Sequence, residues 1–450
     1  TLIGHLAGDA ITTVSFITAV GEKALSANTS GQKNTAIGRA ALQSITSQDN
    51  NTAVGYNTLS GGSNTGGNNT AIGSDALSGN TTGDNNVALG YNALALNTTA
   101  SSNVAIGRGA LDATTTGGFN VAVGDMSLSA NTTASNNTAI GTSALLANTT
   151  GDYNTAIGQV SLTTNTTGRF NVASGVDALR RNTTGSFNTA TGYTALEDNT
   201  TADNNTAYGA YALGANTTGY ANTAVGSQAL DAATTANNNT AVGRVALTSA
   251  TTGGNNVAVG LSALEGVTTG GSAVAVGANA GHNLTTGGNS IFIGEIAHAS
   301  GATVSNEIAI GYNTGGKGAN TGFINPNGGG VYQGNNSSSW STTSDERIKK
   351  NITDCSTGLN KINELKVRNF EYRELNEITD FDDPEVVYVR AKGKQVGVIA
   401  QEVQEILPEI VKEETTGCLK VDPDNLTWYL VNAVQELSAQ VEELKNTKCK

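Results

Sequence analysis

A short pattern of alternating apolar and small residues recurs along the first two thirds of the chain. It reads Asn-[Thr/Val]-Ala-[Ile/Val]-Gly, and its glycine recurs with a 17-residue spacing from Gly4 to Gly311, apart from one 18-residue step between Gly55 and Gly73. Ile or Val alternating with Ala has the period of a β-strand that faces a core on one side. Each repeat therefore predicts a short strand, followed by a turn at the glycine.

A second apolar position follows the glycine. Leu stands four residues after it in 15 consecutive repeats, from Leu25 to Leu264, and is usually preceded by Ala. The next residues are polar, as in Asn148-Thr149-Thr150-Gly151, and this composition is typical of turns in which Asn and Gly accept a positive φ. Two short strands and two turns in each 17-residue repeat make one coil of a β-solenoid, and we expect Leu with Ile or Val to fill its core.

The repeats predict a mainly β fold, a β-solenoid of 19 coils with this 17-residue period over residues 1–316. The chain has no proline before Pro326, as expected if the amide groups of each coil bond to the neighbouring coils. One coil would bury too little apolar surface to offset the ordering entropy of its residues. Stability must then come from stacking and from lateral association, most simply as a trimer.

The composition of the chain changes at Ser344. The first 343 residues carry 16 acidic and 9 basic side chains, and the last 107 carry 21 and 15, so the charged fraction rises from about 7% to about 34%. We therefore divide the chain into a β-solenoid shaft (1–316), a Gly- and Ser-rich transition (317–343) that is accessible to cleavage, and a small α+β domain (344–450).

The α+β domain ends in a helix with a heptad pattern. Residues 371–384 predict an acidic loop or hairpin, 386–399 predict two strands around Gly393, and 401–407 predict a short helix that Pro408 ends. A short coiled coil is predicted from the apolar a and d positions, which are Leu430, Val434, Leu437, Val441 and Leu444.

Several classes of partner are excluded by the composition. The net charge of −13 argues against nucleic acid, which requires clustered Lys and Arg. The sequence has no apolar run of about 18 residues, the length of a membrane-spanning helix. The three cysteines and three histidines lack metal-ligand spacing. We therefore expect no nucleic acid partner, no membrane insertion, no metal and no cofactor.

Candidate chemistry lies in the run Ser-Asp-Glu-Arg-Ile-Lys-Lys-Asn-Ile that starts at Ser344. Ser344, Asp345 and Glu346 are typical of a helix start, with Ser as the N-cap and acids in the first turn. Ser344 and Lys349 are five residues apart and do not share one face of a helix, so their contact requires a turn or a lysine from a neighbouring chain. The residues alone leave a helix cap and a Ser/Lys catalytic pair both open.

Together with Gly358–Tyr372, Val396–Val411 and the last helix, this run resembles the endosialidase-type intramolecular chaperone domain. That family is a self-cleaving peptidase at the C-terminus of phage tail fibres and tail spikes, and the resemblance extends to about Leu444. It implies a chaperone that trimerises, directs folding of the preceding fibre and then cuts itself off.

The same resemblance assigns roles to four residues. It implies that Ser344 is the nucleophile, that Lys349 is its general base, and that Thr343–Ser344 is the scissile bond. Asp345 matches an acidic position of the family, with an orienting or capping role. A serine hydroxyl needs such a base to become a strong nucleophile. The cleavage would be a single intramolecular turnover.

The 17-residue repeats resemble the heads of trimeric autotransporter adhesins and the shafts of phage fibres, which form a left-handed β-roll of three chains. The two resemblances imply a homotrimeric fibre on a virion, which binds a host cell-surface receptor or glycan and contacts other virion tail proteins through its N-terminus. A bacterial trimeric surface adhesin is an alternative. A glycan-degrading tail spike is less favoured, because no pair of catalytic carboxylates stands in a recognisable domain.

Two further patterns have a structural and a functional interpretation. Most of the aromatic residues Phe119, Tyr153, Phe170, Phe187 and Tyr220 lie in turns one or two repeats apart, which predicts a stripe on one face. Sugar binding along the stripe and packing between turns are both open, and we prefer packing. The many Asn-x-Thr triplets are formal glycosylation acceptors, but we interpret them as turn residues.

Overall fold

The computed structural model describes residues 1–62, 64–325, 331–333, 340–341, 346, 349–380, 393–413 and 418–448. The chain divides into two compact units, Thr1–Thr343 and Ser344–Lys450. The first is a parallel β-solenoid and the second is a small α+β unit. The predicted fold class is therefore confirmed.

The solenoid has one short strand in each of its 19 coils. Consecutive strands pair in parallel, so that Thr155, Ala156 and Ile157 of one coil lie beside the equivalent residues of the next. The strands are β1 Leu2–Ile3, β2 Thr18–Val20, β3 Thr35–Ile37, β4 Thr52–Val54, β5 Thr70–Ile72, β6 Val87–Leu89, β7 Val104–Ile106, β8 Val121–Val123, β9 Thr138–Ile140, β10 Thr155–Ile157, β11 Val172–Ser174, β12 Thr189–Thr191, β13 Thr206–Tyr208, β14 Thr223–Val225, β15 Thr240–Val242, β16 Val257–Val259, β17 Val274–Val276, β18 Ile291–Ile293 and β19 Glu307–Ile310.

The core of the solenoid consists mainly of Ala and Leu. In β10 the central Ala156 is fully buried, whereas Ile157 points outward and is 43% exposed. Leu162 of the same coil is also fully buried. The prediction that Ile or Val fills the core is wrong. Leu already occupies the narrow interior, so the strand presents its small Ala inward, and the alternation of side chains then places Ile outside.

The segment after each glycine forms a tight turn, and the predicted second strand is not formed in the described coils. In the coil of Gly158 the residue two positions later, Val160, has φ 54°, and Leu162 has φ 52°. These left-handed values are incompatible with a strand. Gly158 itself has φ +132°, and a Cβ there would lie 2.5 Å from the carbonyl oxygen of Gly175 in the next coil. Only glycine satisfies both constraints.

Two columns of buried asparagines link successive coils. In the first, the backbone N–H of Asn171 donates to Asn154 Oδ1 at 3.0 Å, and its Nδ2 donates to the carbonyl oxygen of Gly185 at 2.8 Å. In the second, Asn165 Nδ2 donates to Asn148 Oδ1 at 2.8 Å. These asparagines do not have the positive φ predicted for a turn. Their side-chain amides are buried and hydrogen-bonded. Those that stand in Asn-x-Thr triplets, such as Asn148 and Asn165, are therefore structural residues rather than glycosylation acceptors.

The sheet continues beyond residue 316, where the shaft was predicted to end. Strand β20 (Thr321–Ile324) pairs in parallel with β19, and β21 (Val331–Gln333) and β22 (Trp340–Ser341) add antiparallel strands. Glu307 is fully buried at this end of the solenoid. Its carboxylate accepts the backbone N–H of Ser300 at 3.0 Å and that of Gly318 at 2.8 Å, so it satisfies two backbone amides.

The second unit contains short helices and two antiparallel strand pairs. The chain order is α1 Leu359–Glu364, β23 Arg368–Phe370, a 3₁₀ turn Leu375–Glu377, β24 Gln395–Gly397, α2 Ala400–Ile406, a 3₁₀ turn Pro408–Ile410, β25 Val411–Glu413, β26 Leu419–Val421 and α3 Pro423–Lys448. Strand β23 pairs with β24, and β25 pairs with β26.

Most of the predicted elements of this unit are found where the structure describes the chain. The helix predicted at 401–407 is α2, and the predicted C-terminal helix is α3. One of the two strands predicted in 386–399 is β24, whereas residues 386–392 lie outside the described residues. The described part of 371–384 contains one 3₁₀ turn. Val403, Leu407 and Ile410 form the small core, against which α3 packs Leu426 and Tyr429.

Candidate processing site and assembly surfaces

Three of the four predicted site residues, Thr343, Ser344 and Asp345, lie outside the described residues. Lys349 is described and exposed, and its backbone N–H donates to the carbonyl oxygen of Glu346 at 3.0 Å. That bond spans three residues, as in a 3₁₀ turn.

Side chains of α3 bind the backbone between Cys355 and Leu359. Residues 351–357 form no helix or strand, and α1 begins only at Leu359. Asn432 Nδ2 donates to the carbonyl oxygens of Cys355 at 3.0 Å and Thr357 at 2.8 Å. Glu436 Oε2 accepts the backbone N–H of Leu359 at 2.7 Å and thereby caps α1.

The sequence analysis did not predict these three hydrogen bonds. Asn432 and Glu436 lie far along the chain from the backbone groups that they contact, and they stand between the heptad positions of α3 without a local motif. The only signal in the sequence is that both are polar residues one helical turn apart, which places them on the same face.

The heptad residues of α3 form an apolar stripe that is open to solvent. They lie next to Leu426, Tyr429 and Ala433 on the helix surface, and those three residues contact the small core or are buried. The stripe residues are 41–64% exposed, and they are Leu430, Val434, Leu437, Val441 and Leu444. Such a continuous exposed stripe on a helix is typical of a surface that packs against another helix.

The outer face of the solenoid sheet also carries a row of apolar side chains. The residue before the glycine points outward and is Ile, Val or Leu in most coils, with Ser174, Thr191 and Tyr208 as an interruption in the middle. Nine of these residues are 36–43% exposed, namely Ile37, Ile72, Leu89, Ile140, Ile157, Val242, Val259, Val276 and Ile293. An apolar surface that runs over so many coils is characteristic of a protein–protein interface.

The predicted aromatic stripe is present over three consecutive coils. Tyr153, Phe170 and Phe187 stack with ring centroids 5.1 Å apart. Phe119 has the same turn position two coils before Tyr153, whereas Tyr220 stands one residue earlier in its turn. Both faces of the Phe170 ring are covered by its neighbours, so this ring cannot stack on a sugar. Packing between turns is the arrangement that the structure shows.

Charged side chains of the solenoid pair between adjacent coils. Arg108 donates two hydrogen bonds to Asp125, both at 2.8 Å, and this contact lowers the pKa of the Asp125 carboxyl. Asp231 has a different environment, because burial raises the pKa of its carboxyl. In the second unit, the hydrogen bonds from Arg368 lower the pKa of Glu402.

No group of three or more His, Cys, Asp or Glu side chains within the described ranges could hold a metal ion.

Residues 344–412 match the model of a family described as the chaperone of endosialidase. The matched segment begins at Ser344, and it includes Lys349 and the elements from α1 to β25 except its last residue. No curated protein and no solved structure matches the chain. Among the helices that the structure describes, none has the length and apolarity needed to span a membrane.

The chain therefore joins a parallel β-solenoid of 19 coils to a C-terminal segment that matches the endosialidase chaperone model. The resemblance predicted for the C-terminal part is confirmed by this match. The combination fits a tail fibre or tail spike that carries a chaperone domain.

Proposed function

We propose that the chain is a structural fibre protein of a phage, in a tail fibre or another appendage, whose C-terminal domain is an intramolecular chaperone for trimer folding. The observation that carries the proposal is the match of residues 344–412 to the chaperone family, directly behind a long repeat solenoid. A solenoid of nearly identical coils needs such help, because long-range parallel pairing nucleates slowly and exposes open edges until it is complete.

The trimer is supported by two apolar surfaces, one in each unit. The outer face of the solenoid sheet and the heptad stripe of α3 both leave aliphatic side chains in solvent. Three copies of the chain would bury both surfaces in parallel, and the heptad positions are those used in short helical bundles. The partner in each case is a second copy of the same chain.

The chaperone role is tested by comparing the full chain with a version that ends at Thr343. The full chain is expected to form soluble trimers, measured by light scattering after size exclusion. The shortened chain is expected to aggregate or to remain unassembled, because the apolar sheet face has lost its assembly factor. Equal yields of trimer from both chains would contradict the proposed function.

Processing would follow assembly and would separate the two units at Thr343–Ser344. The Ser344 hydroxyl oxygen attacks the carbonyl carbon of Thr343 while Lys349 accepts the hydroxyl proton. The peptide C–N bond then breaks, and the nitrogen takes that proton and becomes the new α-amino group of Ser344. Water hydrolyses the ester that remains on the serine oxygen. Asp345 would orient the serine or cap the turn.

Host attachment is the role of the finished fibre in this proposal. The exposed turns of the solenoid would contact a host receptor or glycan, while the N-terminus would join other virion tail proteins. Trimers that bind neither intact bacteria nor a glycan array would count against attachment.

A bacterial trimeric surface adhesin remains the alternative for the same architecture. A membrane-anchor domain encoded in the same gene would favour the adhesin. A glycan-degrading spike would be supported if the trimer depolymerised a capsular polysaccharide.

A further inference from the structure

Side chains of α3 bind the end of the segment that follows the processing motif. The nine residues from Lys349 to Thr357 contain no helix or strand, so no regular ladder fixes their position. Among the described contacts, Asn432 and Glu436 of α3 bind this segment and the start of α1. A segment without regular structure is positioned by the side chains that satisfy its backbone groups.

We propose that Asn432 and Glu436 are positioning residues for cleavage at Thr343–Ser344. This inference rests on the proposed function of the Ser344 and Lys349 pair. The two side chains do not take part in the bond rearrangement. They fix the carbonyl groups of Cys355 and Thr357 and the amide of Leu359, and thereby restrict where the preceding motif can lie.

The chemistry of the two contacts favours a positioning role. A side-chain amide that serves two carbonyl groups two residues apart holds both ends of a short chain segment at once. A carboxylate on the first amide of a helix forms a charge-assisted hydrogen bond and interacts favourably with the helix dipole. The three bonds therefore fix both the direction of the segment and the start of α1.

Intramolecular attack is sensitive to such restriction. The serine oxygen must stay close to the carbonyl carbon and to the lysine, and small displacements of reacting groups reduce rates strongly. Asn432→Ala and Glu436→Ala are therefore expected to slow cleavage at least about tenfold. Glu436→Gln keeps an acceptor oxygen for the Leu359 amide and is expected to lie between wild type and Glu436→Ala.

The test follows cleavage of the full chain after pulse-labelled translation, with the cut fraction measured per assembled trimer at several pH values. Matched controls on the exposed part of the same helix are Asn446→Ala and Glu443→Ala. We expect both controls to cleave at the wild-type rate. For Asn432→Ala and Glu436→Ala, we expect a lower plateau rate with an unchanged pH midpoint, since the Ser344 and Lys349 pair remains intact.

A second readout separates positioning from general stability. In the uncleaved Ser344→Ala background, Glu436→Ala is expected to increase amide hydrogen exchange within residues 349–359 while the trimer and its melting temperature are maintained. Wild-type rates for Asn432→Ala and Glu436→Ala in folded trimers would overturn the inference. A lower rate that is fully explained by a lower yield of trimer would overturn it as well. If wild type and Ser344→Ala both stay uncut, the proposed processing itself fails, and this result differs from the others.

Discussion

Phe292 fills the space that Gly281 leaves open in the core of the solenoid. A Cβ on Gly281 would lie 2.8 Å from Phe292 Cδ2 and 2.7 Å from Leu264 Cδ2. In the 15 preceding coils, from Leu25 to Leu264, the position of Gly281 is held by Leu, and the strand position of Phe292 is held by Ala. Two neighbouring coils therefore exchange a large and a small residue, and the packing density of the core is kept.

This exchange predicts a non-additive pair of substitutions. Phe292→Ala alone is expected to lower the free energy of unfolding by about 3–5 kcal/mol through the cavity it leaves. Gly281→Leu alone is expected to lower it by about 1–3 kcal/mol through overpacking. Gly281 already has φ +63°, close to the 52° of Leu264, so Leu is compatible with its backbone.

The double variant restores the Leu and Ala of the other coils. It is therefore expected to be more stable than Phe292→Ala, as measured by denaturant unfolding and by amide exchange in β17 to β19. A double variant whose loss equals the sum of the two single losses would show that these residues do not share one space.

Removal of one side-chain amide from the first asparagine column is expected to lower the free energy of unfolding clearly. Asn171→Ala would leave the Gly185 carbonyl oxygen and Asn154 Oδ1 with fewer partners in a buried site. A loss of about 1–3 kcal/mol in the free energy of unfolding is expected for each unsatisfied group. Asn204→Ala, at an exposed turn, is the control and is expected to cost clearly less. Similar costs for both variants, measured by chemical denaturation, would exclude a stabilising role for the buried column.

A nearly isosteric substitution of the buried Glu307, at the end of the solenoid, is expected to lower the free energy of unfolding. Glu307→Gln replaces one acceptor oxygen by an NH₂ group, which would face a backbone N–H donor of Ser300 or Gly318. We expect a loss of roughly 1.5–3 kcal/mol, the range for hydrogen bonds to charged groups. Amide exchange should rise first in β19 and β20. Unchanged protection in both strands would contradict this role of Glu307.

The pH dependence of stability is predicted to differ in sign between two aspartates. Burial raises the pKa of Asp231 above its value in the unfolded chain. Stability is therefore lost as the pH rises from the unfolded pKa to the folded pKa of this carboxyl. Asp231→Asn is therefore expected to raise Tm at pH 7 and to have little effect below both pKa values. The hydrogen bond from Arg108 lowers the pKa of Asp125, so the stability it contributes is present above its unfolded pKa and is lost as the pH falls through the folded pKa.

Asp125→Asn is thus the matched opposite of Asp231→Asn. It is expected to lower Tm at neutral pH, with a difference that vanishes in acid. Calorimetric scans of both variants between acid and neutral pH test the signs. A Tm shift of the same sign for the two variants at pH 7 would contradict the assigned environments.

The coils and strands could be predicted from the sequence because glycine and alternation are local signals. Gly158 and its equivalents mark each turn, and Ala156 alternates with Ile157 in a strand pattern. Alternation establishes only that the two residues lie on opposite faces, and not which face is the core. We expected Ile in the core because it is more apolar than Ala. Its side chain instead lies on the outer face of the sheet, which is open to solvent in the single chain.

Other features depended on tertiary contacts without a local signal. Leu162 adopts a left-handed conformation that its side chain disfavours, because its burial in the core offsets the backbone cost. Asn148 resembles a turn residue in sequence, yet it is buried in a column whose partners lie one full coil away. The chaperone segment was identified through its motifs. The contacts of Asn432 and Glu436 with that segment form only in the folded chain, between residues that are far apart in sequence.

The most direct test of the central claim is the intact mass of freshly expressed full chain beside a Ser344→Ala variant. The account predicts that wild type separates into residues 1–343 and 344–450, and that Ser344→Ala stays whole. This result would establish a fibre that releases its own assembly domain. If both proteins stay whole, the role of Ser344 as a nucleophile is contradicted, and the segment from Ser344 to Lys450 stays attached to the solenoid.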